Sequence, residues 1–112
     1  MKRKDAQMIL AIRDYIDEHL YESHSVQDIC RKFNINREKL QAGFRELTQT
    51  TLHAYIIHQR MERAAQRLIE SDDSIKAVAL DSGYKKQRSF NKTFKTIFQQ
   101  TPAGYRKMHQ GL

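Results

Sequence analysis

The chain has 112 residues, 39% hydrophobic and 29% charged, with 20 Lys+Arg against 13 Asp+Glu and a net charge of +7; its pI is near 9.7. That describes one small basic domain, residues 1–112, with enough apolar material for a globular core and no room for a second full-sized domain. No run approaches the ~20 apolar residues of a membrane span, Met1-Lys2-Arg3-Lys4 is followed by Asp5 and Gln7 instead of an apolar signal core, and the lone Cys30 excludes an internal disulfide, so a soluble cytoplasmic protein is expected.

One proline and four glycines leave long windows of 3.6-residue periodicity, which predicts an all-α chain of seven helices. The first carries a stripe of Met8, Ile12, Tyr15, Ile16, His19 and Leu20. Ser25, with Asp28 completing a Ser-x-x-Asp start signal, opens a short helix with Val26, Ile29, Cys30 and Phe33 inside. A turn at Asn34-Ile35, where asparagine tolerates the left-handed conformation, leads to Asn36 as N-cap of a helix burying Leu40, Gly43, Phe44 and Leu47. From about Thr51 to Glu70 a longer helix follows, apolar at Leu52, Tyr55, Ile56, Met61, Ala64, Ala65 and Leu68 and ended by Ser71-Asp72-Asp73. Two helices then flank Gly83-Tyr84-Lys85, and Thr101-Pro102 supplies an N-cap and an N1 proline for a last helix with Tyr105 and Arg106.

The second half repeats the first. Ser25-Val26-x-x-Ile29-Cys30 returns 49 positions later as Ser74-Ile75-x-x-Val78-Ala79. With one residue added in the second turn the offset becomes 50, and Leu40, Phe44, Arg45, Leu47, Gln49 and Tyr55 return as Phe90, Phe94, Lys95, Ile97, Gln99 and Tyr105. Charge does not repeat. Residues 1–56 hold 9 basic and 8 acidic side chains, residues 57–112 hold 11 and 5, and no acid follows Asp81 although Lys85, Lys86, Arg88, Lys92, Lys95, Arg106 and Lys107 do. Such a block attracts a polyanion, most commonly nucleic acid, although a solvated basic face has the same composition.

Each repeat is a short helix, a tight turn and a second helix, the connectivity of a helix-turn-helix, whose second helix enters the DNA major groove. At 100° per residue, Arg37, Glu38, Gln41, Ala42 and Arg45 share an outward sector opposite the apolar one, and so do Gln87, Arg88, Asn91, Lys92 and Lys95 opposite Phe90, Thr93, Phe94 and Ile97. Arginine, glutamine, asparagine and lysine present hydrogen-bonding groups suited to base edges, and Glu38 is able to accept from cytosine N4.

The run Arg60-Met61-Glu62-Arg63-Ala64-Ala65-Gln66-Arg67-Leu68-Ile69, Ser74-Ile75 with Val78-Ala79, Gly83-Tyr84, Phe90-x-x-x-Phe94-Lys95 and Thr101-Pro102-x-x-Tyr105-Arg106 together resemble the DNA-binding domain of the AraC family of bacterial transcription regulators. The resemblance spans nearly the whole chain. It implies two helix-turn-helix subdomains, about 8–50 and about 71–109, joined by a rigid linker helix of about 51–70, and binding to consecutive major-groove segments of double-stranded DNA. The family's base-reading positions fall on Glu38, Gln41 and Ala42 and on Gln87, Arg88, Asn91 and Lys92; Arg37, Arg45, Lys86 and Lys95 are assigned to phosphate. The chain departs from the family pattern in three places. Gln49 and Gln99 stand where the family commonly has glycine. Lys86 stands at the N-cap of the second reading helix, where it cannot accept a hydrogen bond and opposes the helix dipole, a cost that nearby DNA phosphate would offset. Ala42 offers only a methyl, suited to thymine.

No other chemistry emerges. His19, His24, His53, His58 and His109 form no metal-ligand spacing, Cys30 lies on an inward face with no cation placed by sequence to activate it, and no catalytic dyad, phosphate loop or cofactor motif is present. Two functions therefore compete: a sequence-specific DNA-binding transcription regulator, and a module of the same fold that recruits another regulator or RNA polymerase with little DNA binding of its own. No effector-binding domain is legible, so a ligand response would need a further domain or a partner.

Overall fold

The computed structural model describes residues 1–110, and residues 111 and 112 of the expected domain lie outside the described residues. Among the described residues there are seven helices and no strand: α1 (Arg3–Glu18), α2 (Val26–Phe33), α3 (Arg37–Thr48), α4 (Leu52–Glu70), α5 (Ile75–Asp81), α6 (Gln87–Phe98) and α7 (Pro102–His109). The chain divides into one unit of Met1–Ile57 and another beginning at His58, so that α4 contributes its first turns to one and the rest to the other.

In the first unit the core is Ile9, Ile12, Ile16 and Leu20 of α1 and its end, Ile29 of α2, Leu40 and Phe44 of α3, and Leu52 and Ile56 of α4. The stripe expected on α1 is displaced by one position at its start: Ile9 is buried, whereas Met8, Tyr15 and His19 are only partly covered. The reason is the close approach of α1 to α3 at Gly43, where a Cβ would stand 2.9 Å from Ile9 Cγ1. Leu47, expected inside, is 39% exposed. Cys30 is half-buried, whereas its counterpart Ala79 is buried.

The second unit builds its core from Met61, Ala64, Ala65 and Leu68 of α4, Val78 and Ala79 of α5, and Phe90 and Phe94 of α6. Ser82 is buried there, and its hydroxyl donates to the Val78 carbonyl at 2.7 Å, so its burial leaves no lost hydrogen bond. Arg106 of α7 donates from Nε to the Leu68 carbonyl at 2.9 Å and Gln110 donates to the same carbonyl at 3.1 Å, which ties the last helix to the end of α4.

The internal repeat holds at atomic detail. Ile35 N–H donates to the Cys30 carbonyl at 3.1 Å, and Tyr84 N–H to the Ala79 carbonyl at 3.0 Å. The turns these bonds close use a left-handed residue each, Asn34 at φ 51° and Gly83 at φ 97°. Phe44 meets Tyr55 edge-on at 5.3 Å and 78°, and Phe94 meets Tyr105 at 5.4 Å and 78°. The units diverge around those tyrosines. The Tyr55 hydroxyl donates to Asp17 at 2.7 Å, and burial, followed by that bond, holds its pKa above the ordinary tyrosine value; Tyr105 instead stacks on His109 at 4.0 Å.

Candidate nucleic-acid interface

Five helices start under a side-chain oxygen. Ser25 Oγ accepts from Asp28 N–H at 3.0 Å, Asn36 Oδ1 from Lys39 N–H at 2.8 Å, Thr51 Oγ1 from Ala54 N–H at 3.1 Å, Ser74 Oγ from Ala77 N–H at 3.0 Å, and Thr101 Oγ1 from Gly104 N–H at 3.1 Å. The exceptions are α1 and α6, whose N-caps Lys2 and Lys86 make no side-chain cap bond. For α6 this leaves the positive end of the helix dipole beside an ammonium group, an arrangement that favours an anion.

At the other end of each second helix the departures from glycine are accommodated in one way twice. Gln49 and Gln99 take left-handed φ values of 64° and 62°, and each side-chain amide donates back to the carbonyl three residues earlier, Glu46 and Thr96, at 3.1 Å. The left-handed conformation costs a non-glycine residue about 1–2 kcal/mol, and the side-chain bond offsets part of it.

Between these ends the outward faces are as the wheel requires, with one difference. Arg37, Glu38, Gln41, Ala42 and Arg45 on α3 are all exposed, and so are Lys86, Gln87, Arg88, Lys92 and Lys95 at α6. Asn91 is half-buried, and among the described residues its buried Oδ1 has no hydrogen-bond partner. The reason is its position on the wheel, next to Phe90 and Phe94 at the margin of the outward sector. Gln41, Ala42 and Arg45 border an open groove with Val26 of α2 and Thr51 and His53 at the start of α4. Thr51 and His53 escaped the sequence reading because they belong to the next helix, and no periodicity links them to α3.

The electrostatics of the second unit are one-sided. Arg67 donates from Nε to Asp73 at 2.9 Å and from Nη1 to Asp81 at 2.6 Å, which holds the Asp73 carboxyl below its ordinary pKa chiefly through that hydrogen bond. Among the described residues no salt bridge reaches Lys85, Lys86, Arg88, Lys92 or Lys95. Two of the unit's five acidic side chains are thus paired with Arg67, and the cations of α6 keep their charge for an outside anion. Among the described residues no three His, Cys, Asp or Glu side chains gather as a metal site, and no helix is long and apolar enough to cross a membrane.

Known proteins share this architecture. A family profile described as a helix-turn-helix domain matches residues 29–108. The regulatory protein SoxS of Salmonella typhimurium is 33% identical over 100 residues, covering 89% of this chain and 94% of its own. Among solved structures, an AraC-type DNA-binding transcriptional regulator from Chromobacterium violaceum superposes with a TM-score of 0.86 at 22% identity, covering 98% of both chains. The DNA-binding domain of AdpA, a global transcriptional factor solved in complex with a target DNA, superposes with a TM-score of 0.82 at 25% identity, covering 91% of this chain and 92% of its own. By the extent of these matches and the duplicated helix-turn-helix they fall on, the chain belongs to the AraC-type helix-turn-helix family of transcription regulators.

Proposed function

We propose that this chain is a cytoplasmic, non-enzymatic transcription regulator that binds double-stranded DNA sequence-specifically, reading two consecutive major-groove segments with α3 and α6. The observation that carries this reading is the duplicated second helix with an exposed, hydrogen-bonding outer face, whose cations on α6 make no salt bridge among the described residues. In this assignment Glu38, Gln41 and Ala42 face one set of base pairs and Gln87, Arg88, Asn91 and Lys92 another, while Arg37, Arg45, Lys86 and Lys95 hold phosphates. Residues of about 8–50 and about 71–109 act as the two reading subdomains, with the helix of about 51–70 between them. SoxS being a regulatory protein and AdpA being solved on a target DNA support the same reading.

A module that only recruits another regulator or RNA polymerase has no use for the exposed cations of α6. A mobility shift against randomised duplex DNA separates the two readings. Retention of an enriched motif in the presence of random competitor is the expected result; absence of retention at moderate salt would favour recruitment.

A further inference from the structure

A helix seated in the major groove, about 12 Å wide, has a phosphate strand on each flank. On one flank of α3 stand Gln41, Arg45, Thr51 and His53. The other flank is built by the start of α1. Asp5 of α1 lies 3.8 Å from Lys39 of α3, and Asp5, Lys39, Ala42 and Glu46 share a small hollow there. Continuous with Asp5 and Lys39, an open groove of about 560 Å³ runs past Lys2, Lys4, Asn34 and Asn36. Three ammonium groups therefore face one carboxylate, and that carboxylate is already beside Lys39. Lys2 and Lys4 are exposed and, among the described residues, make no salt bridge.

Resting on the DNA-reading function above, we infer that Lys2 and Lys4 bind the DNA phosphates of the strand that borders the segment read by α3, on the flank opposite Arg45. Charge gives the groove its need for them. The first unit holds nine basic and eight acidic side chains, and three of the nine are Lys2, Arg3 and Lys4. Without those three the body behind α3 is net acidic and repels the duplex it reads. With them, Lys2 and Lys4 add positive charge beside Lys39 on the flank of α3 opposite Arg45.

The test uses the full chain with Lys2→Ala and Lys4→Ala together, which leaves the Asp5–Lys39 pair in place. Affinity is measured against salt on a selected site and on random duplex, together with phosphate ethylation interference. Each phosphate contact contributes about 0.9 to the slope of log K against log salt, so the slope should fall by about two. Affinity for both DNAs should drop by the same factor, the enriched motif should stay the same, and interference should vanish at the phosphates of the strand opposite Arg45 and persist on the Arg45 side. Lys2→Arg with Lys4→Arg should restore all of these. An unchanged slope and interference pattern overturns the inference, and so does a changed motif. A wild-type chain that holds random duplex as tightly as any selected site overturns the DNA-reading function itself, and this inference with it.

Discussion

Single residues set the strain that individual helices carry. Gln99 holds a left-handed backbone and repays part of the strain through its bond to Thr96. Gln99→Gly should therefore raise stability by up to about 1 kcal/mol, read as a higher denaturant midpoint at unchanged slope. Gly43 is the opposite case. Alanine there gains about 1 kcal/mol of helix propensity but drives a methyl into the buried Ile9, and overpacking costs about 1–3 kcal/mol. A net loss of up to about 2 kcal/mol is expected in the same measurement. Legibility at this scale followed locality. Ser25, Asn34, Asn36, Ser74 and Thr101 were readable because cap and turn chemistry is decided within four residues. Ile9 was not, because what selects it over Met8 is Gly43 on another helix. Cys30 and Leu47 fall short of full burial for a related reason: periodicity gives a direction from the helix axis, not the presence of a neighbour on that side.

At the level of elements, the start of α6 is a compromise between stability and binding. Lys86→Ser supplies the missing cap oxygen and should stabilise the protein by about 1 kcal/mol. It also removes a cation assigned to phosphate, so DNA affinity should fall alike on specific and random sequences, with a salt slope smaller by about one. A variant that gains stability and keeps its slope would move Lys86 off the phosphate. The junction of α4 with α5 rests on Arg67, Asp73 and Asp81. Because the folded pKa of Asp73 is lowered, its contribution is present above the unfolded carboxylate value of ~3.9 and is lost as pH falls through the folded value. Arg67→Gln should therefore melt below wild type at pH 7, and the gap should close at a pH below that of the lowered carboxyl. High salt should narrow it too, since the pair is exposed. The helix-turn-helix elements themselves were plain in the sequence because two copies of one pattern reinforce each other. The flank of α3 was not, because it is assembled from α1, α2 and α4.

For the molecule as a whole, the two repeats share a fold and not a chemistry. In the proposed assignment α3 offers Glu38, Gln41 and Ala42 and α6 offers Gln87, Arg88, Asn91 and Lys92, so the two DNA elements should be unlike. Arg88→Ala should relax preference at one or two base pairs of one element at a cost of about 1–3 kcal/mol. Lys95→Ala should weaken all sequences equally and reduce the salt slope by about one. The helix α4 is continuous over its 19 residues, about 30 Å of helix, and with α4 acting as the proposed linker the two elements are expected about one turn of B-DNA apart, so about five inserted base pairs should abolish specific binding. The measurement that tests the central claim most directly is selection of duplex DNA from a randomised pool by the full chain, followed by sequencing of what it retains. Two short, dissimilar elements at a fixed spacing are the expected enrichment. A pool that emerges without any motif, retained only in proportion to low salt, would contradict sequence-specific reading by α3 and α6.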